Sequence, residues 1–302
     1  YEQDAEILNK ALNDYDSNYK QIIDIVCKRT IEDKQEIIKQ FRIKYDKDIV
    51  EELDSELSGN FKKVVVGLLR SPVDYDCHEL NTAMKGIGTN EDALIEILSS
   101  RPSYRIKEIK TRFPDLFGLD LLEEIKDETS GTLKDVLVAL VENTRNSIEI
   151  INDEKLKKDV EELHKAISEQ GNKEYLLNVL TIRSPAELKF INDSYYEEYG
   201  MYLKEALSSK HSGDDLKILI SILEINLNAS AYFAALLVET FKGLGTNDDA
   251  LIRTIIGRMN IDLKDICEEF RKKSGKTLSE RVKEECSGEY KEILLQLLNE
   301  SS

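Results

Sequence analysis

The sequence predicts an all-α protein assembled from four copies of one helical unit, and three observations carry that prediction. Breakers are scarce, with four prolines and 14 glycines in 302 residues and no tryptophan; with abundant Leu, Ile, Lys and Glu, this suits long helices better than a sandwich or barrel. Glycine-bearing turns recur ahead of an apolar helix at Gly59, Gly131, Gly213 and Gly288, at similar intervals along the chain. Arg29, Arg101, Arg183 and Arg258 precede those four glycines by one constant offset, and so repeat the same intervals. Length alone favours about two domains. Self-similarity is the stronger guide.

Repeat one is expected over residues 1–71, where Phe61, Val64, Val65, Leu68 and Leu69 follow the glycine at helical spacing and define one apolar face. Repeat two, residues 72–142, offers Leu133, Val136, Leu137, Leu140 and Val141 at the same offsets. The longest interval lies between the second and third glycines, and about ten extra residues in "ENTRNSIEIINDEK" read as a linker, 143–155, joining two pairs of repeats. Repeat three, 156–224, places Asp215, Ile218, Leu219, Ile222 and Leu223 on the stripe, with only the first position polar. Repeat four, 228–300, closes the series with Tyr290, Ile293, Leu294, Leu297 and Leu298. Each stripe is expected to bury against neighbouring helices.

Charge narrows the function classes. Lys and Arg total 42 against 59 Asp and Glu, a formal net charge of -17. Nucleic acid is an unexpected partner for such a chain. An anionic lipid surface attracts basic segments and repels this average field, so contact with it requires a bridging cation. Cys27, Cys77, Cys267 and Cys286 form no C-x-x-C pair, and His78, His164 and His211 lie far apart; reduced structural thiols in a cytosolic chain are expected. Runs such as "VVVGLL" fall far short of the ~20 residues of a membrane span. No signal peptide is visible, and no clustered nucleophile and base suggests an enzyme.

Two near-identical stretches interrupt the helical pattern: "MKGIGTNEDALI" from Met84 and "FKGLGTNDDALI" from Phe241. Their glycines permit unusual backbone conformations, and Thr89 with the acidic residues after it reads as a helix N-cap. A tight helix-to-helix turn would explain that much. A phosphate loop is excluded, because no G-K-[ST] follows and no strand precedes, and a G-x-G-x-x-G fingerprint fails at its third glycine. An EF-hand at "DYDSNY" fails too, with Tyr19 in place of the loop glycine and Ile25 in place of the closing Glu. A loop whose carbonyls converge on a hard cation remains, provided a carboxylate arrives from elsewhere in the repeat. At one register position, just before the marker glycines, stand Glu56, Glu128, Lys210 and Glu285. The two repeats with K-G-x-G-T thus also carry a Glu, at the same distance from the first loop glycine, from 86 to 128 and from 243 to 285. That co-occurrence favours a composite site over a turn.

With this motif, the distant Glu and four units covering essentially the whole chain, the sequence resembles the annexin family. The resemblance implies four repeats of five helices each in a curved disk, with calcium loops on the convex face docking onto acidic phospholipid such as phosphatidylserine. It implies one Ca2+ held by the carbonyls of Met84, Gly86 and Gly88 and the Glu128 carboxylate, and another held by Phe241, Gly243, Gly245 and Glu285. Lys85 and Lys242 would meet headgroups, and Ile87 and Leu244, at the loop tips, would touch the lipid interface. The protein would be cytoplasmic and peripheral on membranes when calcium rises.

The other repeats depart from the pattern. Asp14 and Asp16 occupy the glycine positions of repeat one, so with Glu56 they offer an atypical side-chain calcium site rather than the carbonyl one. Ser168 and Gln170 occupy them in repeat three, where Lys210 replaces the carboxylate and no site is expected. The four repeated arginines are expected to hydrogen-bond helix-terminal carbonyls. Such uneven decay resembles divergent protist annexins, including the giardins. The leading functional expectation is calcium-dependent, non-catalytic binding to acidic phospholipid; the alternative is a scaffold binding cytoskeletal filaments or protein partners.

Overall fold

The computed structural model describes residues 1–13, 19–86, 88–143, 145, 152–168, 172–243 and 245–300. Among them the chain forms twenty α-helices, five per repeat. Repeat one comprises α1 Glu2–Asn13, α2 Tyr19–Lys28, α3 Ile31–Tyr45, α4 Ile49–Glu56 and α5 Gly59–Leu69. Repeat two comprises α6 Pro72–Met84, α7 Glu91–Ser100, α8 Ser103–Phe117, α9 Leu121–Glu128 and α10 Gly131–Glu142. Repeat three comprises α11 Asp153–Ser168, α12 Lys173–Ile182, α13 Pro185–Tyr199, α14 Leu203–Lys210 and α15 Gly213–Leu227. Repeat four comprises α16 Ala229–Thr240, α17 Asp248–Arg258, α18 Leu263–Ser274, α19 Leu278–Glu285 and α20 Gly288–Glu300.

Local chemistry sets these boundaries. Asp48 accepts from the Val50 and Glu51 N–H groups at the start of α4, and Asp120 does the same for Leu122 and Glu123 at α9. Thr277 and Glu280 form a capping box at α19. Such caps satisfy N–H groups that a helix leaves without an internal partner. Tyr202 holds the equivalent position ahead of α14, where its backbone N–H donates to Glu205 at 2.7 Å but its side chain caps nothing.

The apolar stripes close the core as the spacing predicts. Val64, Val65, Leu68 and Leu69 of α5 are buried, as are Val136, Leu137 and Leu140 of α10, Ile218, Leu219, Ile222 and Leu223 of α15, and Ile293, Leu294, Leu297 and Leu298 of α20. Asp215 is exposed.

The pairing of repeats differs from expectation. One compact unit is built from Tyr1–Tyr75 and Phe233–Ser302, the other from Asp76–Tyr232. Repeats one and four therefore share a unit, with α2 against α20 and α5 against α17, and repeats two and three share the other, with α7 against α15 and α10 against α12. The linker residues do not separate two pairs; they connect repeats within one unit. Arg145 shows how, because its guanidinium donates to the carbonyls of Leu180 and Arg183 at 3.0 and 2.5 Å. Thr144 and residues 146–151 lie outside the described residues.

The repeated arginines also behave differently. Arg29, Arg101 and Arg183 pair with Asp4, Asp76 and Asp159 through Nε and Nη2, at 2.7 to 3.1 Å. A planar guanidinium matches a carboxylate at two atoms, which a carbonyl cannot offer. Capping of terminal carbonyls falls to Arg145 instead.

Candidate functional site

Between α6 and α7 the chain turns through the first glycine loop. The Lys85 N–H donates to the Asn81 carbonyl at 3.0 Å, and the Asn90 N–H reaches back to the Ala83 carbonyl at 2.8 Å. Gly86 and Gly88 adopt φ of +114° and +85°. A Cβ at either would meet no heavy atom within 4 Å, so backbone conformation rather than space demands glycine. The second loop is its counterpart: the Asn247 N–H donates to the Thr240 carbonyl at 3.0 Å, and Gly243 and Gly245 take φ of +93° and +91°.

The N-cap lies one residue later than expected. Asn90 accepts from the Ala93 N–H, and Asn247 from the Ala250 N–H, each at 3.1 Å. Thr89 is thereby free for a longer-range task, and its hydroxyl donates to the Glu128 carbonyl at 3.1 Å. This ties the loop to the end of α9, where Glu128 sits exposed. In repeat four the tie runs through Arg281. Its Nη2 donates to the Phe241 carbonyl at 3.3 Å, and its Nη1 lies 3.5 Å from Oε1 of Glu285.

The backbone therefore brings each distal Glu residue to its loop, through bonds between residues 39 and 40 apart. Met84 and Phe241 have buried side chains at the loop entrances, while Lys85, Gly86, Gly88, Lys242, Gly243 and Gly245 are exposed. Lys85 Nζ lies 5.6 Å from the Phe117 ring centroid, and Lys242 pairs with Glu239 at 2.5 Å. Ile87 and Leu244 lie outside the described residues.

In repeat one, Glu56 is exposed at the end of α4, whereas Asp14 and Asp16 lie outside the described residues. In repeat three, Ser168 ends α11 and Lys210 ends α14, both exposed, and Gln170 lies outside the described residues. Among the described residues no three His, Cys, Asp or Glu side chains gather closely enough to hold a metal ion. A hard-cation site here would need backbone oxygens with one carboxylate, the donor set these loops present. Arg281 was missed in the sequence. Its position one helical turn before Glu285 on the same face was the available signal.

The annexin family model matches residues 3–68, 75–140, 158–222 and 232–297. Mouse annexin A13 is 36% identical over 300 residues, covering 99% of this chain and 95% of the relative. A solved structure of an annexin A8 mutant superposes with a TM-score of 0.93 at 34% identity, covering 100% of this chain and 95% of that one. Calcium-bound annexin (Sm)1 gives a TM-score of 0.87 at 30% identity, covering 98% of this chain and 89% of that one. Calcium-bound alpha-14 giardin, 18% identical with a TM-score of 0.82, shares the fold, each chain being 97% covered. The chain belongs to the annexin family.

Proposed function

We propose that this annexin is a non-catalytic protein that binds acidic phospholipid surfaces peripherally and in a calcium-dependent manner. One observation carries the reading: two loops with matching hydrogen bonds and glycine φ values are each tied to the backbone or the carboxylate of a Glu distant in sequence. The carbonyls of Met84, Gly86 and Gly88 with the Glu128 carboxylate would hold one Ca2+. Those of Phe241, Gly243 and Gly245 with Glu285 would hold a second.

All these donors are hard oxygens, and each set carries one formal negative charge, which suits calcium and leaves it net positive. Calcium, when bound, supplies positive charge and free coordination positions for a lipid phosphoryl oxygen. The chain's own contribution is to supply the loop carbonyls and to expose Lys85 and Lys242 beside them. Two weak sites in one chain gain through multivalency wherever both meet lipid. Calcium also answers the net charge of -17, which would otherwise oppose approach to an anionic bilayer. Among the described residues no helix is long and apolar enough to cross a membrane.

Sedimentation with phosphatidylserine liposomes tests the reading. The chain should pellet with calcium and be released by chelator. Full pelleting of the Glu128→Gln, Glu285→Gln double variant would overturn it.

A further inference from the structure

We infer that Arg281 is a built-in competitor of calcium at the repeat-four loop, setting that loop to fill at higher calcium than the repeat-two loop. The inference rests on the site reading above and concerns what distinguishes its two sites. The Arg281 guanidinium bonds to the Phe241 carbonyl at 3.3 Å, and its Nη1 lies 3.5 Å from the Glu285 carboxylate. Those are two of the oxygens that must converge on the ion. The same guanidinium lies 5.3 Å from the Phe241 ring centroid, a cation–π contact. Arg281 thus occupies the loop with a positive charge of its own.

Repeat two lacks this device. The register equivalent of Arg281 is Glu124, which precedes Glu128 as Arg281 precedes Glu285, and the loop entrance carries Met84 where repeat four has Phe241. Both members of the cation–π pair are therefore absent from repeat two. Repeat one has Glu52 at the arginine position and repeat three Ala206.

A guanidinium cannot lose its proton at accessible pH, so the competition is relieved only by movement. Somewhere to go is already present, because Nη1 lies 3.2 Å from Oε2 of Glu284. Arg281 can swing onto Glu284 and free Glu285. The side chain is about a quarter exposed, so solvent screens the pair and the expected effect is moderate, on the order of three- to tenfold in calcium concentration.

Calorimetric titration of the full chain with calcium alone, without lipid, tests this. In a Glu128→Gln background only the repeat-four loop should respond, and adding Arg281→Gln should lower its calcium midpoint about three- to tenfold. Arg281→Glu, which copies repeat two, should lower it further. An unmoved or raised midpoint in both variants, with calcium-free melting close to that of the parent, overturns the inference and leaves the site reading intact. Unchanged calcium binding by the Glu128→Gln, Glu285→Gln double variant overturns both.

Discussion

Arg258 places its guanidinium carbon 4.6 Å from the centroid of the Phe233 ring, at the register where Arg29 and Arg101 meet an aspartate. Phe233 stands as far ahead of Arg258 as Asp4 stands ahead of Arg29 and Asp76 ahead of Arg101. With no carboxylate at that register, Arg258 pairs with Asp262, with Nε and Nη2 at 2.7 and 2.6 Å. The arginine keeps a two-point ion pair although its partner has moved from another helix to the residue preceding α18. The demand belongs to the buried guanidinium, which requires a carboxylate wherever one can reach.

Exposure should decide what each pair is worth. Arg101 and Asp76 are only 6% and 4% exposed at the side chain, whereas Arg29 is 43% exposed. Asp76→Ala strands a buried guanidinium and is expected to cost about 3–5 kcal/mol. Arg29→Ala should cost less, roughly 1–2 kcal/mol, because water reaches Arg29 although its loss takes a partner from Asp4, which is only 10% exposed at the side chain. Urea unfolding of both variants measures the difference; equal losses would contradict the burial argument.

The repeats, the apolar stripes and both glycine loops were legible in the sequence because they depend on local spacing. The partners of the arginines were not, although Asp4, Asp76 and Asp159 recur at intervals close to those of the arginines. A marker search built on glycine and arginine passes over a single aspartate among 59 acidic residues. The pairing of repeat one with repeat four was hidden for a different reason. It depends on contacts such as Gln296 Nε2 to Asp24 Oδ1, 3.3 Å in space and 272 residues apart in sequence, which no local pattern encodes. Thr89 reads as the cap only because Asn90, equally fit for that task, stands beside it.

That long-range pairing makes Gly67 a packing glycine. A Cβ there would lie 2.9 Å from Ile256 on α17 and 2.9 Å from Tyr75. Gly67→Ala is expected to destabilise by about 1–3 kcal/mol through overpacking. Its calcium midpoint for liposome pelleting should stay at the parental value, since the position lies outside both loops. Thermal melting and sedimentation check the two halves of the prediction.

Cys267 lines an open cavity of about 330 Å³ with Lys264, Arg271, Leu278 and Leu298. Burial pushes its thiol up from the ordinary 9.0 to about 11. The folded state thus holds this proton more tightly than the unfolded chain does. The associated stability is present below pH 9.0 and is lost as pH rises towards about 11. Iodoacetamide labelling should be slow at pH 8 and accelerate only in that alkaline window, because the thiolate is the reactive form. Mass spectrometry of the Cys267 peptide across pH reads this directly. Labelling at pH 8 as fast as in the unfolded chain would refute it.

The loop glycines should respond in the opposite sense to Gly67. Gly88 holds φ at +85° with nothing within 4 Å of a hypothetical Cβ, so Gly88→Ala meets no clash and suffers only backbone strain, of order 1–3 kcal/mol. The loop can relieve that strain by relaxing towards negative φ. On the proposed site, relaxation would swing the carbonyls of residues 86 and 88 away from the calcium they would hold while leaving the helices before and after them packed. The expected outcome is a melting temperature near that of the parent, with a severalfold rise in the calcium needed for liposome pelleting. Because Gly245 adopts φ of +91° in the other loop, Gly245→Ala should behave likewise. A double variant should exceed either single change, because it weakens both proposed calcium loops and the two positions share no partner. A Gly88→Ala variant that melts well below the parent yet pellets at the parental calcium concentration would show that the glycines serve the turn alone.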